Sequence, residues 1–206
     1  TREPIDPVRY ITNHSSGKMG YAIAERAAYR GAEVLLISGP THLPSPYGVQ
    51  RINVNTTLEM YEAVMEKAQW ADIIIKAAAV ADFRPAAVAE NKIKKTDADL
   101  MMPLTRNPDI LKELGSTKRP NTVLIGFAAE TQDLIENAKK KIESKNLDFI
   151  VANDLTTEGA GFQSDTNVVT IIDRQGRMEH LSKMSKSELA EVILDKAKKL
   201  LMEGVE

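Results

Sequence analysis

Four short apolar runs do most to limit how this 206-residue chain can fold. They are "EVLLIS" (33–38), the opening of "DIIIKAAAVAD" (72–82), "TVLIGFAAET" (122–131) and "DFIVAND" (148–154). None alternates polar with apolar residues, which marks strands buried on both faces. Helix-length segments lie between them. Residues 17–30 place Met19, Ile23 and Ala27 on one stripe, and Gly31 closes that helix as a C-cap. A short strand is predicted at "RINV" (51–54), followed by a helix over about 57–69. A short helix over 107–114 opens at "NPD", with Asn107 as N-cap and Pro108 at its first position. Residues 133–145 form a helix whose lysine-rich end suits the macrodipole. Residues 185–202 form a closing helix with Leu189, Val192, Ile193, Ala197 and Leu200 inward. Strand and helix in this rhythm require parallel strands joined by right-handed crossovers.

"NVVTIIDRQGRMEHL" (167–181) breaks the rhythm and reads as two strands around an "RQG" turn. The expected architecture is α/β, a doubly wound, mainly parallel, Rossmann-like sheet with a β-hairpin added late. Three segments are read as loops: "TREPIDPVRY" (1–10), the proline-rich 39–48, and 83–98, the last taken as mobile. "DLMMPLT" (99–105) reads as a strand. The abrupt opening reads as a domain boundary with one preceding strand absent.

Bulk properties remove several function classes. A formal charge of −2 offers no basis for binding nucleic acid or an anionic membrane. The chain has no cysteine, which excludes disulfides, thiolate metal sites and a cysteine nucleophile, and is compatible with a cytoplasmic home. No apolar run approaches the roughly 18 residues of a membrane span.

In doubly wound folds, ligands sit outside the carboxyl ends of the parallel strands. The stretch "NHSSGKMG" (13–20) is a glycine-bearing turn before a helix, which aims backbone N–H groups at an anion. Neither common phosphate fingerprint fits. A Walker A loop would need glycine at Thr12 and a hydroxyl at Met19. A dinucleotide fingerprint would need Gly-x-Gly-x-x-Gly and an acid after the second strand, where "SGP" (38–40) stands instead. The turn reads either as a plain capped helix start or as an anion site lined by Asn13, Ser15, Ser16 and the Gly17 amide. Beyond the second buried strand, small alanines leave room for a flat ligand, Asp82 follows, and Lys92, Lys94 and Lys95 form "KIKK". That run is a solvated charge cluster or a cationic flap closing over a triphosphate. Phe127 is a base contact or simply core, and Lys141 and Lys145 share one helix face.

Six stretches in order, "TREPIDPVRYITNHSSGKMG", "AAAVADFRP", "KIKK", "NPDIL", "GFAAET" and "ANDL…GFQSDTN", resemble phosphopantothenoylcysteine synthetase, the phosphopantothenate–cysteine ligase of coenzyme A biosynthesis. The resemblance covers nearly the whole chain. It implies a single nucleotide-binding ligase domain over 1–206 that lacks the family's first strand, and it leaves open whether a decarboxylase domain precedes Thr1. The implied reaction joins 4'-phosphopantothenate to L-cysteine with CTP through an acyl-cytidylate, releasing CMP and pyrophosphate. Carried over by position, Asn13 holds the acid, and Ser15, Ser16 and Gly17 complete the substrate loop. Lys92 stabilises the pentavalent phosphorus, and Asp82 contacts cytidine. The backbone of Lys76, Ala77 and Ala78, with Pro108, Asp109, Ile110, Leu111 and Phe127, lines the nucleotide pocket. Lys141 and Lys145 reach phosphate oxygens. Mg2+ is implied with the nucleotide, held by substrate rather than by protein ligands. The late hairpin and "GFQSDTN" resemble a dimerisation element, implying a homodimer. The alternative class is a non-catalytic nucleotide- or phosphoanion-binding Rossmann-like module. An NAD-type reductase is disfavoured by the missing acid.

Overall fold

The computed structural model describes residues 1–95, 99–130, 134–154 and 164–204. The chain opens with a hairpin, β1 (Arg2–Asp6) and β2 (Arg9–Thr12), followed by α1 (Lys18–Tyr29). Then come β3 (Val34–Ser38), β4 (Val49–Asn53), α2 (Thr57–Lys67) and β5 (Ile73–Lys76). A second hairpin, β6 (Phe83–Pro85) and β7 (Leu104–Arg106), leads into α3 (Ile110–Thr117), β8 (Val123–Glu130), α4 (Leu134–Ser144) and β9 (Phe149–Asp154). The last hairpin, β10 (Thr166–Asp173) and β11 (Met178–Ser185), precedes α5 (Lys186–Glu203).

The central sheet has the order β11-β10-β9-β8-β5, with β5, β8 and β9 mutually parallel. Its two faces follow from the period of two in a strand. Leu124, Ala128, Ile150 and Ala152 point to one side and pack with α2, α3 and α4 through Met60, Leu111, Leu114 and Ile142. Val123, Ile125, Phe149 and Val151 point to the other and meet Ile23 of α1 and Leu189 and Ile193 of α5. Helices thus cover both faces, as the uninterrupted apolar runs require.

Strands β3 and β4 form a separate parallel pair. β3 and β5 line a cavity of about 610 Å³ that also touches α1 and the Asn13–Gly17 loop. Their residues are only partly buried apart from Ser38, whereas Val123, Leu124, Ile125 and Phe149 have no exposed surface.

Two loop expectations are corrected. "TREPIDPVRY" folds as the β1–β2 hairpin because its acids are satisfied inside the protein. Glu3 is buried and accepts from both the backbone N–H and the hydroxyl of Thr57 (3.0 and 2.7 Å), which fastens β1 to the start of α2. The Asp6 carboxylate accepts from the Val8 and Arg9 N–H groups, each at 2.9 Å, and makes the turn. Residues 83–95 are likewise tethered rather than a free loop. β6 pairs with β7, Ala89 N–H donates to the Ile5 carbonyl, and Ile93 N–H donates to Asp6 (3.0 and 3.1 Å). Residues 96–98 lie outside the described residues. The late hairpin is not an appendage, because β10 pairs with β9 over five residues and closes the central sheet.

Candidate active site

The turn before α1 is built by Gly17, whose φ of 79° is open to glycine at little cost. Gly17 has no side chain to cap this helix; the Ser15 and Ser16 hydroxyls instead accept long bonds from the Gly17 and Lys18 N–H groups, at 3.4 and 3.5 Å. Gly20, one turn along, faces the exit of β5: a Cβ there would stand in ordinary contact with that of Ala77, at 3.8 Å. Asn13 Nδ2 donates to the Ala79 carbonyl at 2.9 Å, tying the loop to the same exit. Thr1, Asn13, Ser15, Gly17, Lys76, Ala77 and Ala78 therefore share one cavity.

A second asparagine clasps the exit further along. Asn107 Nδ2 donates to the Ala81 carbonyl at 2.8 Å, and its N–H donates to the Asp82 carbonyl at 2.9 Å. Asn107 is therefore not the helix cap. That role belongs to Asp109, whose carboxylate accepts from Lys112 N–H at 3.1 Å, and α3 begins after it at Ile110. Asp109 also pairs with Lys145 at 2.9 Å. Ile110 and Leu111 are buried in the core, so only their backbone can meet a ligand.

Lys76, at the carboxyl end of β5, lies in the field of Lys145, Asp109, Asp82 and Lys141. Burial pushes its ammonium down to about 8, with Lys145 adding to the effect. Close packing brings Lys145 here: at Gly115 of α3 a Cβ would fall 1.9 Å from the Lys145 carbonyl. Lys92 stands apart. It is exposed, and among the described residues no hydrogen bond or ion pair connects it to this group. Its neighbour Ile93 is pinned from both sides, donating to Asp6 and accepting from Arg9 at 3.1 Å.

Sequence reasoning missed the far wall of the Ser15–Gly20 turn. A small cavity of about 70 Å³ there is lined by Ser15, Ser16, Gly17, Phe127, Asn153, Asn167 and Lys186. Lys186 is buried and donates to the Ser164 carbonyl; burial, then Lys18, holds its ammonium below the ordinary lysine range. Lys18 pairs with Asp165 at 2.7 Å. The "SDTN" part of the late motif was legible, but its convergence on α1 was not. Gly161, Phe162 and Gln163 of that motif, and Thr131 of "GFAAET", lie outside the described residues.

Residues 1–201 match the family described as the DNA/pantothenate metabolism flavoprotein C-terminal domain. The chain belongs to this family. Curated relatives include the coenzyme A biosynthesis bifunctional protein CoaBC of Vibrio vulnificus (strain YJ016), 50% identical over 203 residues, which are 98% of this chain and 50% of that protein. CoaBC of Bacillus subtilis (strain 168) is 52% identical over 195 residues, 94% of this chain and 48% of that protein. This pantothenate-metabolism domain thus spans about half the length of the curated relatives it matches. The crystal structure of the C-terminal domain of CoaBC superposes with a TM-score of 0.83 at 46% identity, covering 98% of this chain and 93% of that one. The α/β architecture with a mainly parallel central sheet is therefore that of the pantothenate-metabolism domains.

Proposed function

We propose that this domain joins 4'-phosphopantothenate to L-cysteine at the expense of CTP, as the ligase step of coenzyme A biosynthesis. The observation that carries the reading is the Asn13–Ala79 hydrogen bond of 2.9 Å. It stitches the loop assigned to the acid onto the strand exit assigned to the nucleotide, so the two reactants meet across one contact. The family match and the relatives' role in coenzyme A biosynthesis support the same reading.

In this scheme the acid's phosphate is held by the α1 N-terminus and Lys186, while its carboxylate lies at Asn13. A carboxylate oxygen attacks the α-phosphorus, the bond to pyrophosphate breaks, and an acyl-cytidylate forms. Two anions must approach, so cations decide the rate. Lys141, Lys145 and the flap residue Lys92 supply them, and Mg2+ enters as part of the substrate on the triphosphate oxygens. The neutral Asn13 amide then orients the acyl carbon, since it both donates and accepts. The cysteine amine attacks that carbon, CMP leaves, and the amine's proton passes to solvent. Ala77, Ala78, Asp82, Pro108, Asp109 and Phe127 shape the nucleotide side.

The domain works in the cytoplasm as a homodimer in this reading. Among the described residues no helix is long and apolar enough to cross a membrane. Exposed Val8, Tyr10, Phe83 and Leu104 place apolar surface on the first two hairpins, whereas β11 exposes mainly Glu179, His180, Ser182 and Lys183. The former surface suits a second copy better than the late hairpin does. Pyrophosphate release, assayed with each nucleoside triphosphate and with and without cysteine, tests the function. Release that requires phosphopantothenate and is fastest with CTP is expected. Nucleotide binding without any release identifies a non-catalytic binding module instead.

A further inference from the structure

Lys76 carries a charge that the scheme above has not used. It ends the partly buried strand β5, ahead of the alanine run and near the Asp109–Lys145 pair, and it lines the cavity shared with Asn13 and Gly17. The charged groups facing it come from every neighbouring element. Asp82 follows β5, Asp109 caps α3, Lys141 lies on α4 and Lys145 just beyond it, and the Thr1 amine enters from the hairpin. Among the carboxylates, Asp109 is already paired with Lys145 and accepts the Lys112 N–H. Asp82 is exposed. Among the described residues the Lys76 ammonium has no hydrogen bond or ion pair, and of the two acids near it one is committed to Lys145 and the other faces water. Such surplus positive charge beside a cavity is stabilised by an anion that enters it.

We propose that the Lys76 ammonium, and not only the backbone at this position, is a ligand for the phosphate chain of the nucleotide. The assignment rests on the ligase reading and deepens it. It favours the nucleotide over the acid because Lys76 shares its surroundings with Lys141, Lys145 and Asp109, whereas Lys186 lies across the α1 turn from them. An entering phosphate replaces the water that burial has removed and holds the proton on the amine. Near pH 8 binding must then draw protons from solvent.

The test is calorimetric titration of the chain with CTP and Mg2+ at pH 8, in two buffers of different ionisation enthalpy. Wild type is expected to take up roughly half a proton, the fraction missing from an amine titrating there. In Lys76→Met the uptake disappears and affinity at pH 7 falls about tenfold, one pKa unit's worth of interaction. Lys76→Arg keeps the charge without a titration near 8. It retains affinity and shows no uptake, which also shows that the position tolerates change. The Thr1 amine, pushed down by burial, is the other group able to take up a proton here. Equal uptake in wild type and Lys76→Met assigns it to that amine and overturns the proposal. Titration with 4'-phosphopantothenate is expected to be indifferent to Lys76→Met; if instead only that ligand weakens, the nucleotide assignment is wrong. Absence of any CTP binding in wild type defeats the ligase reading and the role of Lys76 with it, an outcome distinct from binding with unchanged uptake.

Discussion

Asn13 and Lys92 act at different moments of the proposed reaction, so their variants separate. Lys92→Gln removes a charge that meets the developing phosphorane, and pyrophosphate release is expected to slow on the order of 10²-fold. Asn13→Asp keeps the shape but places a second anion beside the acyl-cytidylate, so the intermediate should form and accumulate when cysteine is present. Rapid quench with chromatography of the nucleotide products distinguishes the two. Equal, normal turnover in both variants would show the roles to be misassigned. Asp6 is a residue of another kind, holding the flap rather than the substrate. Arg9, foremost, keeps its carboxyl below the usual carboxylate range, with N–H groups of Val8, Arg9 and Ile93 assisting. A depressed folded pKa stabilises at every pH above the unfolded value, about 4, and is lost only as pH falls through the lower folded one. Protection of the Ile93 amide from exchange is therefore expected to persist at pH 4. Asp6→Asn is expected to lose that protection even at pH 7.

At the scale of elements, the site depends on how closely α3 approaches the end of α4. Gly115 permits this, because any Cβ would overlap the Lys145 carbonyl at 1.9 Å. Gly115→Ala should cost about 1–3 kcal/mol through overpacking, with the backbone collision favouring the upper end. That corresponds to a fall in Tm of roughly 2–12 °C for a domain of this size. Because Lys145 would shift with the helix end, CTP affinity should fall alongside; a variant melting within about 1 °C of wild type would refute the close packing. Helix starts show how far local chemistry reaches. Ser185 and Glu188 form a reciprocal capping box at α5, and Thr56 accepts from Glu59 N–H at 3.2 Å at α2. Both can be read from spacing alone. At "NPD" the expected cap Asn107 gave way to Asp109, because Asn107 is engaged by Ala81, Asp82 and Arg84.

The whole molecule divides into a rigid centre and looser flanks. β8 and β9 have helices on both faces and strands on both edges, while β3 and β5 border the cavity of about 610 Å³. Opening of the cavity-side strands needs less apolar surface to be exposed to water. Amides of Leu35, Ile37 and Ile74 are therefore expected to exchange faster than those of Leu124, Ile125 and Ile150, measured in native-state hydrogen exchange. Uniform protection across these four strands would contradict this picture. The ion pair of Lys118 with Asp148 at 2.7 Å, both nearly buried, anchors the centre, since Asp148 also accepts Leu124 N–H. Removing only one partner, as in Asp148→Ala, leaves an uncompensated charge and is expected to cost about 3–5 kcal/mol in denaturant unfolding.

The apolar runs and their spacing by themselves determined the parallel strands and the two covering layers of helices. Those features depend on burial and on period, and both are written locally. The N-terminal ten residues and the segment after Asp82 were misread because prolines and charges normally mark loops. Here Glu3 is satisfied far along the chain by Thr57, and Asp6, held first by nearby Arg9 and Val8, also reaches Ile93. Only tertiary structure decided that Lys186 and Asn153 face the turn before α1, and that Lys76 stands beside Lys145 with Asp109 already taken. Local sequence fixes which residues are hidden; electrostatic neighbourhood follows from which distant residues the packed core brings together.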